Sequence, residues 1–403
     1  MASSYNPSPA ALPLWSTDLR FASKLPDVGT TIFTIMSRRA VEEGALNIGQ
    51  GFPDYPIDPA LSDSLLEVIA EGRNQYAPME GVMELREQIC AKLQICYGRR
   101  FDPVSEVTVT CGATESLYDA IQAVVGPADE AIIFDPAYDV YEPAIRLAGA
   151  SCVRIPLEPP AFRFDWDRFQ ASLSARTRLV IINSPQNPGC SVISAEDLDA
   201  LAARIRDRPI TVLSDEVYEH VLFDGARHQS VLSHEELRAR SFAVFSFGKT
   251  LHATGWRVGY CVAPADMTRE LRRVHQFNTF SIAAPLQFGI ARYLAKHPDA
   301  WQGLAGFFQA KRDLLSGLLR GSGLEPVAAQ GTYFQLVDYG ALSQQSDMEF
   351  ADRLIREAKV ATIPLSPFYA EPPRMTLVRL CTAKQDATLR TAAKALREFA
   401  GRQ

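Results

Sequence analysis

Ser246-Phe247-Gly248-Lys249-Thr250-Leu251-His252-Ala253-Thr254-Gly255-Trp256-Arg257 brings an amine, hydroxyl groups and a guanidinium together within twelve residues. The residues just before it, Phe242 to Phe245, are apolar and read as a buried strand that ends in a polar turn. A lysine there has left the core at the carboxyl end of a strand, where α/β folds keep their ligands. Its amine can condense with a carbonyl. Ser246, before it, and Arg257, after it, can both hold a phosphate. Together they point to a carbonyl cofactor that carries a phosphate, pyridoxal 5′-phosphate.

Outward from this stretch, short apolar runs alternate with helical patterns from about Val107 to Val262. Strands are expected at Val107 to Thr110, Ala131 to Phe134, Cys152 to Ile155, Leu179 to Ile182, Thr211 to Ser214, Ala243 to Phe245 and Val258 to Val262. Helices are expected over Thr114 to Val125 and near Val140 to Leu147. Such alternation predicts an α/β fold with a mostly parallel sheet covered on both faces. A long helical pattern, Asp266 to Lys296, closes this unit. Helical Trp301 to Leu319, strand-like Thr332 to Val337, helical Met348 to Glu357, strands near Val360 to Ile363 and Met375 to Leu380, and a last helix, Lys384 to Gly401, predict a smaller α+β domain. The expected division is residues 1–56 as an arm and part of the small domain, 57–296 as the large domain and 297–403 as the rest of the small one.

The predicted strand ends carry the other reactive side chains. In Cys111-Gly112-Ala113-Thr114-Glu115 the glycine permits a tight turn, and the following N–H groups sit at a helix start suited to phosphate; a plain Thr-capped turn is the alternative. Tyr138, in Phe134-Asp135-Pro136-Ala137-Tyr138, can stack on a pyridine ring or simply pack between helix and sheet. The prolines and glycine of Asn183-Ser184-Pro185-Gln186-Asn187-Pro188-Gly189 make a rigid loop in which Asn187 can donate to an oxygen anion, while Asn183 suits an Asx-type turn. In Ser214-Asp215-Glu216-Val217-Tyr218 a buried carboxylate can favour a pyridinium, and Tyr218 can donate to a phenolate. No chemistry is assigned to Glu216. Arg379 stands inside the apolar strand Leu377 to Leu380, where a guanidinium needs a partner: a substrate carboxylate or a structural acid.

Composition narrows the field. The chain has 403 residues, 22% charged and 47% hydrophobic, with a net charge of −6 that offers no attraction for nucleic acid or an anionic membrane. Its apolar runs are too short to span a bilayer. The first fifteen residues, rich in Ser, Pro and Ala, read as a loose arm rather than a signal peptide. Seven scattered cysteines without a C-x-x-C pair suggest reduced thiols and a cytoplasmic location. Six histidines show no H-x-H or H-E-x-x-H spacing, so no protein metal site is expected.

These pieces resemble the fold-type I pyridoxal-phosphate enzymes, and among them the class I/II aminotransferases. The likeness is strongest to the kynurenine/glutamine transaminase group and the bacterial methionine aminotransferases within it. It is carried by Leu46 to Asp54 (LNIGQGFPD), Asn74 to Pro78 (NQYAP), Phe134 to Tyr141 (FDPAYDVY), Ser214 to His220 (SDEVYEH), Ser246 to Tyr260 (SFGKTLHATGWRVGY) and the strand of Arg379.

The resemblance implies a large and a small domain of that fold, and a catalytic set of Lys249, Asp215 and Tyr138. Lys249 would bond to the cofactor and then move a proton, Asp215 would pair with the ring nitrogen and Tyr138 would stack on the ring. Gly112, Ala113, Thr114, Ser246 and Arg257 would hold the phosphate together with Tyr76 from the other subunit of a homodimer. Asn187 and Tyr218 would hold the phenolic oxygen. Arg379, Asn187 and the backbone near Gly51 would bind the substrate carboxylate, and Phe33, Phe368, the partner's Tyr76 and the partner's Phe280 would wall the side-chain pocket. The implied reaction is ping-pong transfer of an amino group from methionine, related or aromatic amino acids, or kynurenine or glutamine, to a 2-oxo acid. Carbon–sulfur β-elimination is the alternative on this fold. One departure concerns the pocket: Gly29 to Thr34 lacks the tryptophan of the eukaryotic kynurenine enzymes, and Trp15 lies too early to align. About fifty residues precede the cofactor-binding region, too few for a DNA-binding module, so no nucleic acid or membrane partner is expected.

Overall fold

A computed structural model describes residues 22–403; the expected arm over Met1 to Trp15 lies outside them. After helix Ile32–Glu42 come β1 (Leu46–Asn47) and helices Pro59–Ala70 and Met83–Tyr97. Then follow the strands of the main sheet: β2 (Val107–Cys111), β3 (Glu130–Asp135), β4 (Ser151–Pro156), β5 (Thr177–Asn183), β6 (Thr211–Asp215), β7 (Ser241–Ser246) and β8 (Val258–Val262). Their order is β2-β8-β7-β6-β5-β3-β4. All run parallel except β8, which is antiparallel to both neighbours. Helices including Gly112–Val124 and Ala195–Ile205 connect the strands. The expected α/β sheet is thus present, and each strand lies within a residue or two of its expected position.

Burial explains why these strands read as unbroken apolar runs. Every residue of β3 and β7 is buried, as a sheet covered on both faces requires. Successive side chains point to opposite faces: Ala131 and Ile133 enter one core, Ile132 and Phe134 the other.

A second, antiparallel sheet is built from β9 (Glu325–Pro326), β10 (Phe334–Asp338), β12 (Ile363–Pro364) and β13 (Leu377–Cys381), while β11 (Val360–Ala361) pairs with β1. A separate core gathers Ile32, Met36 and Ile48 with Leu315, Phe350, Leu380 and Phe399.

Two elements differ from expectation. The helix expected over Asp266 to Lys296 is two helices, Ala265–Asn278 and Ala284–Lys296. Pro285 lies in the first turn of the second, where its missing N–H does no harm, and its ring would clash with a preceding helical turn. Phe280 in the break has φ 69°, outside the helical region. The single strand expected near Val360 to Ile363 is split between two partners, β11 to β1 and β12 to β13. Among the described residues no helix is long and apolar enough to cross a membrane.

Candidate active site

The parallel strands end at one edge of the sheet, so their terminal residues converge there. Asn183 and Asp215 are register partners at the ends of β5 and β6, and Ser246 ends β7. Because β8 runs the other way, it begins where the others finish. Cys111 pairs with Val258 and Ser246 with Gly259, which delivers Arg257 beside Gly112. Gly112 has φ 71°, and a Cβ there would stand 2.7 Å from Arg257 Nη2. A Cβ on Gly259 would lie 2.5 Å from the Ala113 nitrogen. Both glycines are therefore demanded by close approach at the start of helix Gly112–Val124.

A cavity at this edge holds about 570 Å³ of space unfilled by atoms, part of it open to solvent. Its walls bring together nine of the residues singled out above. Ala113, Thr114, Ser246 and Arg257 line it along with Tyr138, Asn187, Asp215, Tyr218 and Lys249. Leu117, Asn183 and Val217 also contribute wall. Arg257 donates to Thr114 Oγ1 at 3.3 Å, steadying the helix start.

Asp215 is buried, and burial pushes its carboxyl up to about 6 against the pull of Tyr141, the Val217 N–H and Lys249. The Tyr141 hydroxyl donates to Asp215 Oδ2 at 2.6 Å. Burial lowers the Lys249 amine to about 8, which raises its neutral, nucleophilic fraction near neutral pH. That amine donates to the Tyr333 hydroxyl at 3.0 Å.

Arg379 is 1% exposed, and burial lowers the pKa of its guanidinium. Nη1 donates to Asn187 Oδ1 at 2.5 Å and Nη2 to the Gly49 carbonyl at 3.1 Å, and Nε has no partner. Its guanidinium lies 3.8 Å from the Phe334 ring centre and 5.2 Å from that of Phe33. Among the described residues no carboxylate forms an ion pair with it. The structural-acid alternative is therefore not realised, and a buried cation stands ready for an anion. Asn187 is held by its backbone N–H bond to Asn183 Oδ1 at 2.8 Å, and among the described residues nothing accepts from its side-chain Nδ2.

The remaining expected residues lie outside the cavity wall. Gly51 faces the Phe334 ring so closely that a Cβ would be 2.7 Å away, and its carbonyl accepts from Tyr333. Phe33 and Phe368 pack against one another at 5.5 Å, with Phe368 buried in the second core. Tyr76, 87% exposed, and Phe280 pair with each other at 5.8 Å and do not line the cavity of their own chain. Tyr141, Tyr333 and Gly49 have no role assigned from sequence, and Asn183 only that of an Asx-type turn. Tyr141 stood in a quoted motif and is found by its spacing after Tyr138. Tyr333 is separated in sequence from every motif, and only folding joins it to Lys249.

Behind the phosphate-type helix start lies a buried cluster of Glu115, Asp119 and His275. His275 Nδ1 is 2.9 Å from Glu115 and Nε2 is 2.9 Å from the Met79 carbonyl. Two acceptors require a doubly protonated ring, which has no lone pair for a metal. Burial opposes that charge, but the Asp119 carboxylate 3.6 Å away and the hydrogen bond to Glu115 outweigh it and hold the ring at about 9.

The donor set fits pyridoxal 5′-phosphate: a glycine turn that no Cβ could share, a cation and helix start for phosphate, a buried acid for a ring nitrogen and a buried amine for an aldehyde. A mostly parallel α/β sheet with these groups at its carboxyl edge defines a pyridoxal-phosphate-dependent transferase. The chain belongs to the family "Aminotransferase class I and II", whose model matches residues 43–396. It is 51% identical to the methionine aminotransferase of Escherichia coli over 94% of this chain and 98% of that one. It is 30% identical to kynurenine–oxoglutarate transaminase 3 of Rattus norvegicus, covering 96% of this chain and 92% of the relative. A solved E. coli structure, described as identifying a methionine aminotransferase function, superposes with a TM-score of 0.92 at 50% identity, covering 94% of this chain and all of that one. The protein is a pyridoxal-phosphate-dependent aminotransferase.

Proposed function

We propose that this enzyme takes the amino group from methionine and related or aromatic amino acids and passes it to a 2-oxo acid in a ping-pong cycle. The observation that carries the reading is Arg379, a buried guanidinium without a carboxylate, joined through Asn187 to the cavity of Lys249 and Asp215. It suits an α-carboxylate held by a bidentate fork. Arg257 is the one arginine in the cavity wall, and it is engaged at the helix start. Among the described residues the cavity wall holds no second guanidinium for an acidic side chain, which favours neutral donors. The identity to the E. coli methionine enzyme supports methionine among them.

When bound, pyridoxal phosphate supplies the electron sink that makes the substrate Cα proton removable. Asp215, its carboxylate favoured by the Tyr141 bond, would pair with the protonated ring nitrogen. Ala113, Thr114, Ser246 and Arg257 would anchor the phosphate at the Gly112 turn, and Tyr138 would stack on the ring. Asn187, through its side-chain Nδ2, and Tyr218 would hold the phenolic oxygen. Lys249 Nζ would accept the substrate Cα proton and carry it toward the cofactor. The backbone near Gly51 would help bind the substrate carboxylate, and Phe33 and Phe368 would wall the side-chain pocket. Tyr76 and Phe280 serve the site of the partner in a homodimer, a reading supported by their exposure as an aromatic pair. The large domain would then be residues 57–296, with 1–56 and 297–403 forming the small one.

The test is a panel of amino acids against several 2-oxo acids, with Lys249→Ala as control. L-methionine should change the visible absorbance of the bound cofactor without releasing ammonia, and an oxo acid should restore it. Pyruvate, ammonia and a thiol released from a cysteine S-conjugate without an oxo acid would instead make β-elimination the main reaction.

A further inference from the structure

Tyr333 lies just ahead of β10, and its ring is 1% exposed. Its hydroxyl links two parts of the site. It donates to the Gly51 carbonyl at 2.6 Å and accepts from the Lys249 amine at 3.0 Å. The donor assignment has one solution. A carbonyl only accepts, so the phenol proton lies toward Gly51, and the oxygen can only accept from Lys249. The ring is held independently of the amine, with Tyr218, Phe334 and Phe308 at centroid distances of 5.1, 5.0 and 5.6 Å. Among the described residues, Tyr333 is the one hydrogen-bond partner of Lys249 Nζ.

We propose that Tyr333 is the positioning residue for proton transfer by Lys249: whenever the amine is not bonded to the cofactor, the phenol oxygen holds it on the Gly51 side of the cavity. The inference rests on the role given to Lys249 above. A lysine amine ends a flexible four-carbon stem, so the side chain needs a fixed acceptor to hold one geometry. One N–H is engaged by Tyr333, which stops rotation about the terminal bond and directs the remaining lone pair or proton elsewhere. Both amine and ammonium donate, so the bond survives as the proton passes from Cα to Nζ and on to C4′. The phenol keeps its own proton throughout: burial raises its pKa well above the ordinary tyrosine value, and Gly51 accepts from it.

Tyr333→Phe removes one oxygen and keeps the ring. In the holoenzyme it should lower kcat by roughly 10- to 100-fold, the scale expected for a misplaced acid–base group. The KM for L-methionine should change less than threefold, because Arg379 is intact. The kinetic isotope effect with Cα-deuterated methionine should rise, since proton transfer becomes the slow step. The pH midpoint of the bound-cofactor absorbance should also move, a readout independent of turnover. If Tyr333→Phe fails to fold, 3-fluorotyrosine at position 333 keeps shape and hydroxyl but weakens the acceptor, and the same changes should appear at smaller size. An unchanged isotope effect and absorbance midpoint, in a protein that Lys249→Ala shows to depend on its lysine, would overturn the role of Tyr333 alone. Turnover surviving in Lys249→Ala would instead overturn the reading beneath it.

Discussion

Arg379 and Gly112 show how single residues set the site. Arg379 loses bulk water and gains two neutral acceptors, Asn187 Oδ1 and the Gly49 carbonyl, which leaves its charge uncompensated until an anion arrives. Arg379→Ala should therefore raise the KM for amino acids with little loss of bound cofactor. The expected cost is about 2–5 kcal/mol in kcat/KM, as when one member of a buried charge pair is truncated, and steady-state kinetics on L-methionine would measure it. Gly112 acts through what it lacks. Gly112→Ala forces a Cβ into a left-handed turn at φ 71° and toward Arg257 Nη2. Backbone strain of about 1–3 kcal/mol is expected, together with a displaced guanidinium. Cofactor affinity, followed by fluorescence during reconstitution, should fall while Arg379-dependent substrate recognition in the loaded fraction is retained.

At the scale of elements, one reversed strand and one helix assemble the phosphate-type corner. Antiparallel β8 starts at the edge where β2 and β7 end, and helix Gly112–Val124 starts against it. That helix is tied from behind. The Cys111 N–H donates to Glu115, and Glu115 and Asp119 meet His275 on helix Ala265–Asn278. His275 is raised from 6.5 to about 9, so the stability it contributes is complete below about pH 6.5 and is lost as pH rises through 9. His275→Gln strands two buried acids and should destabilise by about 3–5 kcal/mol near pH 6. The gap in thermal midpoint between the two proteins should narrow above pH 9. An equal gap at pH 6 and pH 10 would show that His275 packs as a neutral ring.

For the whole molecule, the proposed homodimer makes the sharpest demand. If Tyr76 of the partner subunit completes each site, Lys249→Ala and Tyr76→Ala chains should complement. In a mixed dimer the Tyr76→Ala subunit keeps its own lysine and receives an intact tyrosine, so unfolding and refolding the two proteins together should recover activity above that of either alone. No recovery would place Tyr76 outside the site. Strand-end chemistry was legible in sequence because it is local: apolar runs announce β5, β6 and β7, and the residues after them carry Asn187, Asp215 and Lys249 to one edge of a parallel sheet. The two-helix break at 279–283 was missed because hydrophobic period continues across it while Pro285 interrupts only the backbone. Sequence alone determined the parallel sheet and the set of reactive strand ends, since periodicity and turn residues act within a few positions. Tertiary structure alone decided the meeting of Tyr333 with Lys249 and Gly51, the Asn187 and Gly49 cradle of Arg379, and the His275 clamp. Those contacts join residues 84 to 330 positions apart, and hydrogen bonds of that kind exist only after apolar burial has brought their elements together.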